Sequence, residues 1–253
     1  MESVAVVIPT LNEERAVGSV IERIPVSDLL KDGFETTPYV VDGCSTDATL
    51  EIATRKGAHI IFDEGKGKGA AIRAAFEVVE ADYVIMVDGD DTYPIDVATE
   101  MVSLLQTHDV VVGSRLKGRI EPGAMTLVNI VGNVLLTLLA RLLFYAKISD
   151  LCTGLWGFRS EAIRRLELAA EGFELEADFF AECVRKGCSI TEIPITYRAR
   201  QDRPKLASLK DGLKIGLFLC KRRLQQPKER DARPITESAN RTNSVERRVQ
   251  RGD

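Results

Sequence analysis

The chain has 253 residues, 45% of them hydrophobic and 28% charged, which excludes a disordered chain or a peptide-sized scaffold and suits one large α/β domain. A formal charge of −4 and an aromatic share of 6% argue against a nucleic-acid binder, whose surface is basic and carries stacking rings. Five cysteines, scattered and without a CxxC or CxxH pair, exclude a disulfide framework and a zinc cage and read as free thiols in a reducing compartment.

Met1-Glu2-Ser3 runs directly into an apolar segment, so no signal peptide is expected and the working face should look at cytoplasm. Val4 to Ile8 is a β-branched strand, ended by Pro9-Thr10. Such unbroken runs suit a strand covered on both faces. Glu13 to Ile24 has apolar residues at helical spacing. Tyr39-Val40-Val41 is a second strand, ended by Asp42-Gly43. Thr49 to Lys56 reads as helix and His59 to Phe62 as strand. A glycine-lysine loop, Gly65 to Gly69, leads into an alanine-rich helix, Ala70 to Val79. Tyr83 to Val87 is a fourth strand, stopping at Asp88. Val97 to Gln106 is helical, and Val110 to Val112 is a strand ended by Gly113-Ser114-Arg115. Strands alternating with helices predict an α/β, nucleotide-binding sheet flanked by helices.

The second half reads differently. Met125 to Leu143 is apolar, interrupted by Asn129, Asn133 and Arg141. Its clean run falls short of the roughly 20 residues of a transmembrane span, which leaves a buried helix or one in the membrane interface. Gly172 to Lys186 is an acid-rich helix, followed by a strand at Ser189 to Tyr197. Leu209 to Leu224 alternates leucines with Lys210, Lys214, Lys221, Arg222 and Arg223, a basic amphipathic helix suited to an anionic membrane surface or to a terminal position with a solvated polar face. Residues 1–225 are expected to form one domain, and residues 226–253 a polar, disordered tail.

Acids follow three of the strands: Glu13, Asp42 and the run Asp88-Gly89-Asp90-Asp91. Carboxyl ends of strands form the ligand crevice of an open α/β sheet, and converging acids there call for a cation or a polar ligand. Asp88-x-Asp90, with Gly89 relieving crowding, can address one hard divalent ion. Mg2+ or Mn2+ takes few protein carboxylates and completes its shell with diphosphate oxygens and water. A DxD by itself is a common acidic turn; its place after Val84-Ile85-Met86-Val87 gives it weight. Asp42 can accept hydrogen bonds from a base or ribose. Lys66-Gly67-Lys68-Gly69 is a candidate phosphate cradle with Lys66 as its cation, and it lacks Walker spacing. Arg115 is a candidate bidentate donor to a diphosphate or else a surface arginine. Arg198, Arg200, Arg203 and Lys205 form a basic cluster after the last strand, where a phosphate would be favoured. No Ser-His-Asp or Cys-His arrangement is present.

Taken in order, Val7-Ile8-Pro9-Thr10-Leu11-Asn12-Glu13, Val41-Asp42-Gly43-Cys44-Ser45-Thr46-Asp47, Gly67-Lys68-Gly69-Ala70-Ala71, Asp88-Gly89-Asp90 and Gly113-Ser114-Arg115 resemble family 2 glycosyltransferases of the GT-A fold, a mixed sheet flanked by helices. The resemblance covers roughly residues 4–220. Asp150-Leu151-Cys152-Thr153-Gly154, Gly157-Phe158-Arg159 and Glu192 to Arg198 are similar to the polyprenyl-phosphate branch, with archaeal-type dolichyl-phosphate hexose synthases most alike. The resemblance implies that Pro9, Leu11, Glu13 and Asp42 hold the nucleoside. It implies Asp88 and Asp90 on metal and diphosphate with Gly89 and Arg115 beside them. Arg200 and Lys205 would take the diphosphate or the acceptor phosphate. Gly43 departs from relatives that carry a second acid there, and neutral Asn129 from those with a basic residue nearby.

The implied reaction passes a hexose from a nucleotide-sugar, UDP-glucose favoured, to polyprenyl (dolichyl) phosphate at the cytoplasmic face of the membrane. GDP-mannose as donor and a hydroxyl acceptor are the alternatives. For a hydroxyl acceptor, Asp178 in Glu174-x-Glu176-x-Asp178 is the candidate base, against an exposed helix face as its plain explanation.

Overall fold

A computed structural model of the chain describes residues 1–63, 65–200 and 208–225. One sheet contains β1 (Glu2–Thr10), β2 (Phe34–Asp42), β3 (His59–Phe62), β4 (Tyr83–Val87), β5 (Val110–Ile120), β6 (Leu155–Arg159) and β7 (Ile190–Tyr197). Their order across the sheet is β3-β2-β1-β4-β6-β5-β7. Strands β3, β2, β1 and β4 run parallel. Between β4 and β5, β6 is antiparallel to both, while β5 and β7 are parallel. The sheet is therefore mixed, as the fold class requires.

Alternation explains how apolar runs become central strands. Val4, Val6 and Ile8 of β1 enter one core layer and Ala5 and Val7 the other, because successive side chains leave a strand on opposite faces. Both faces are covered. Helices α1 (Val17–Glu22) and α5 (Ala98–Leu105) pack on the first, with α2 (Val26–Lys31) and α3 (Thr49–Arg55) beside them. On the second lie α4 (Lys68–Val78), α6 (Leu127–Phe144), α8 (Leu175–Arg185) and α9 (Ser208–Gln225). A short α7 (Ser160–Ile163) follows β6.

Several expectations are corrected. Strand β5 does not stop at Gly113-Ser114-Arg115 but runs through them to Ile120, held by β7 across an irregularity between Ser114 and Arg119. The first helix begins only at Val17, because Glu13 caps a turn with its carbonyl, which accepts from Ala16 N and Val17 N. Strand β6 and helices α2 and α7 had no counterpart in the sequence reading. The acid-rich helix is not an exposed one: Leu175 to Cys183 are all buried.

Helix α6 also differs from its expectation. It has 18 residues with mean hydropathy 2.0 and is 22% buried, so length and composition suffice to cross a membrane. One side docks on the domain through Asn133, Thr137, Ala140 and Phe144. Leu127, Val131, Leu135, Leu138 and Leu142 are exposed, a stripe at helical spacing. Against its other flank lies α9, where Gly216 faces Leu136 and Leu139 and Leu213 and Leu217 are exposed. The predicted tail and the candidates Arg203 and Lys205 lie outside the described residues.

Candidate active site

Because β1 sits between β2 and β4, the carboxyl ends of three parallel strands lie side by side. Thr10 and Asp42 are register partners at the ends of β1 and β2. The loops beyond them are stitched together: Asn12 N donates to Ser45 Oγ at 2.8 Å, and Thr46 N to Asn12 Oδ1 at 2.8 Å. Asp42 is buried, and its Oδ2 accepts from Ser45 N at 2.9 Å. Its Oδ1 is buried without a hydrogen-bond partner among the described residues. An orphaned carboxylate oxygen is costly, and an N–H or O–H of a bound nucleoside would satisfy it. Pro9 is half-buried and Leu11 exposed beside this crevice.

Asp88 and Asp90 leave the end of β4. Asp88 N donates to Gly154 O at 3.2 Å, and Asp88 Oδ2 lies over Gly154 so closely that a Cβ there would sit 2.1 Å from it. Gly89 is equally constrained, since a Cβ would meet Thr10 Cγ2 at 2.8 Å and Pro9 O at 3.1 Å. The two glycines let the β4 turn pack against the β1 and β6 ends. Asp90 Oδ1 accepts from Thr92 Oγ1 at 2.6 Å, and its Oδ2 from Arg200 at 2.8 Å. Burial and the neighbouring Asp88 charge push the Asp90 carboxyl above its ordinary range. The pair is thus close enough to repel, and repulsion between hard oxygen donors is relieved by a cation.

Two internal cations already meet these acids. Arg200 bridges Asp90 Oδ2 and Glu13 Oε1, the latter at 2.6 Å. Lys68, the first residue of α4, bridges Asp88 Oδ1 at 2.5 Å and Glu176 Oε1 at 2.6 Å. Lys66, the residue chosen from sequence, is exposed, and Lys68 of the same loop reaches the acids. Burial works against the Lys68 charge, but Asp88 and Glu176 outweigh it and raise its pKa. For Glu176 burial wins over Lys68, and its pKa is raised.

Asp178 is not on an exposed face. Its Oδ2 accepts from Ala169 N at 2.6 Å and Ala170 N at 2.8 Å, and its Oδ1 from Arg222 Nε at 2.6 Å. Both oxygens are thereby committed to tying α8 to α9 and to the preceding loop. Glu176, two residues earlier, is the α8 acid brought to Lys68 and Asp88. Arg115 is likewise engaged: it is buried, with Nε and Nη2 on the two oxygens of Asp150 at 2.8 Å each and Nη2 on Cys152 O at 2.6 Å. Its guanidinium lies 5.2 Å from the Tyr197 ring centroid and 5.9 Å from that of Tyr93. Burial alone would raise the Asp150 pKa, but Arg115 and Asn133 bring it below the usual carboxylate range.

These pairs support the site from beneath. Asn133 Nδ2 of α6 donates to Asp150 Oδ1 at 2.7 Å, and Tyr93 Oη accepts from Gly154 N at 2.7 Å. The apolar helix, Arg115 and the glycine under Asp88 therefore form one connected layer. Among the described residues no group of three or more His, Cys, Asp or Glu side chains is gathered for a metal. Two carboxylates suit Mg2+ or Mn2+, which accept a substrate diphosphate and water for the rest of their shell. Sequence reasoning missed Lys68 as the reaching lysine, Glu176, Tyr93 and Thr92; helical phase from Gly67 was the signal available for Lys68.

Residues 5–167 match the family described as glycosyl transferase family 2. Glycosyltransferase AglJ of Haloferax volcanii is 36% identical over 225 residues, covering 87% of this chain and 72% of that protein. A dolichyl-phosphate hexose transferase of the same organism is 35% identical over 221 residues, 87% of this chain and 93% of its own length. Among solved structures, glucosyl-3-phosphoglycerate synthase from Mycobacterium tuberculosis, in complex with Mn2+, UDP and glucosyl-3-phosphoglycerate, has a TM-score of 0.68 at 24% identity, over 89% of this chain and 80% of that one. That likeness is one of fold, and the fold is GT-A.

Proposed function

The chain belongs to glycosyltransferase family 2, and from that premise we propose that it transfers a hexose from a nucleoside-diphosphate sugar to a polyprenyl (dolichyl) phosphate, with inversion. UDP-glucose is the favoured donor, and the cytoplasmic face of the cell membrane the favoured place. The observation that carries this reading is the gathering, at the carboxyl ends of neighbouring strands, of the orphaned Asp42 oxygen and the Asp88–Asp90 pair. Similarity to a dolichyl-phosphate hexose transferase across 93% of that protein supports the acceptor. The exposed leucine stripe of α6 beside α9 supports a lipid surface, since apolar faces with basic neighbours favour anionic bilayers.

In this reading Pro9, Leu11, Glu13 and Asp42 hold the nucleoside, with Asp42 Oδ1 accepting from the base. A divalent cation on Asp88 and Asp90 would neutralise the charge developing on the leaving diphosphate. Arg200, already 2.8 Å from Asp90, and Lys205 supply positive charge for the diphosphate or the acceptor phosphate. Arg115 acts through Asp150 to fix the loop carrying Gly154, against which Asp88 rests. The acceptor phosphate oxygen attacks the anomeric carbon in line; the new C–O bond forms as the bond to the diphosphate breaks, and the nucleoside diphosphate leaves. A phosphate monoester, with a second pKa of about 6, is already an anion at neutral pH. No general base is then required. The hydroxyl-acceptor alternative needs one, and both Asp178 oxygens are occupied.

The test is twofold. Thermal unfolding with Mn2+ and either UDP- or GDP-sugars identifies the donor by ligand-specific stabilisation. Transfer of radiolabelled sugar into a lipid extract containing polyprenyl phosphate then identifies the acceptor. Stabilisation by a GDP-sugar alone would replace the donor with the mannose-type alternative. Product that stays in the aqueous phase with every donor would overturn the lipid acceptor.

A further inference from the structure

All four oxygens of the Asp88–Asp90 pair are in contact with protein. Asp90 Oδ1 is held by Thr92 and Oδ2 by Arg200. Asp88 Oδ1 is held by Lys68, and Oδ2 lies on Gly154. A divalent cation that takes Asp88 Oδ1, alone or with Oδ2, therefore has to take it from Lys68. Lys68 differs from a simple ion-pair partner because it has two carboxylates, at 2.5 and 2.6 Å, on different elements. Its backbone is fixed at the start of α4, where Gly69 N and Ala70 N donate to Glu171 O at 2.9 and 3.2 Å. The Glu176 side chain is only 8% exposed, whereas that of Asp88 is 28% exposed. One partner is thus locked inside and the other faces the crevice.

We infer that Lys68 is a positioning residue that serves as the resident counter-ion of Asp88: it neutralises Asp88 in the ligand-free protein, cedes it to an arriving divalent cation, and falls back on Glu176. An unpaired buried ammonium would be prohibitive, and Glu176 is what makes the withdrawal feasible. The exchange also keeps Asp88 oriented over Gly154 before the cation arrives. This inference rests on the reading that Asp88 and Asp90 take a divalent ion, and it adds an internal competitor for that ion.

The experiment is a Mn2+ titration of the full chain without nucleotide, followed by the loss of the free-ion signal in electron paramagnetic resonance. Lys68→Met removes a competing unit charge beside the ion and should tighten Mn2+ binding by about tenfold or more. Glu176→Gln removes the fallback, leaves the ammonium wholly on Asp88, and should weaken binding several-fold. Lys68→Arg restores the charge and should return the affinity to near wild type. A residue that only held the fold would lower metal affinity in both Lys68→Met and Glu176→Gln, and that result overturns the inference. Should Lys68→Met fail to fold, Glu176→Gln decides: unchanged or tighter binding overturns it. Wild-type protein that takes up no Mn2+, or takes it up equally as Asp90→Ala, overturns the divalent-ion reading itself and this inference with it. Wild-type binding lost in Asp90→Ala, with no tightening in a folded Lys68→Met, removes this inference alone.

Discussion

Two kinds of acid cluster stand within one layer of this molecule. Around Asp150 and Asp178 each carboxylate is buried and closed: Arg115 and Asn133 hold the first, Arg222 and two backbone amides the second. Around Asp88 and Asp90 the acids lie at a strand edge, partly open, and two cations each straddle a pair of carboxylates. Residue type does not separate the two kinds. Strand ends present groups to the crevice, whereas helix α8 and the Asp150 loop turn theirs inward to join elements. The closed arrangement holds the fold, and the strand-end arrangement is the one proposed to exchange partners.

The sharpest way to break that comparison is to remove a closed partner. Asp150→Ala leaves Arg115 buried without its bidentate acceptor, which costs about 3–5 kcal/mol, and thermal denaturation should show a large loss of stability. Next in size is Asp90→Ala. Sugar transfer should fall by about 10²–10³, while the melting temperature changes little, since Arg200 keeps Glu13 as a partner. If Asp90→Ala unfolds the protein and Asp150→Ala only slows it, the two clusters have been assigned the wrong way round.

Most of the parallel half was readable because periodicity and strand-end acids are local signals. Val4–Ile8, Tyr39–Val41, His59–Phe62 and Tyr83–Val87 lie in strands of the structure, with Asp42 at the end of the second of these and Asp88 and Asp90 after the fourth. What failed was non-local. Strand β6 is five residues with Gly157 at its centre, which interrupts its apolar run, and it pairs with β4 on one side and β5 on the other. For residues 172–186 the charges alone leave open both a site acid and an exposed helix face. Residues 174–183 are buried because Lys68, Lys214, Arg222 and Arg185 supply partners, three of them distant in sequence. Likewise the acceptor for Arg115 is Asp150, 35 residues away in a separate motif, and no local signal joins the two.

The exposed apolar stripe of α6 extends the comparison to the surface. Asn133 and Thr137 anchor its inner face to residues 150–152, and Leu135 and Leu138 on its outer face are 61% and 52% exposed. Replacing both leucines by Glu should reduce co-sedimentation with anionic vesicles by about tenfold or more, since each buried leucine is worth roughly 1.5–3 kcal/mol. Melting temperature should be nearly unchanged. A large melting shift with intact vesicle binding would make this stripe a covered face of the fold.

The finest discriminator is the pH dependence of the two clusters' contributions in the acid limb of stability. The Asp150 pKa is lowered in the folded state, because Arg115 overcomes burial. Its stabilisation is therefore present above the unfolded carboxylate pKa of about 3.9 and is lost as pH falls through the lower folded value. For Asp90 the sign reverses: burial and Asp88 raise its pKa, so its ionisation opposes folding at neutral pH, and that penalty disappears on acidification. Wild type minus Asp150→Asn should thus favour wild type at pH 7 and converge in acid. Wild type minus Asp90→Asn should favour the variant at pH 7 and converge in acid from the other side. Urea midpoints measured from pH 7 to 3 give both differences. Equal signs would mean that the strand-edge aspartate is as closed as the buried one, and the distinction between holding and exchanging clusters would fall.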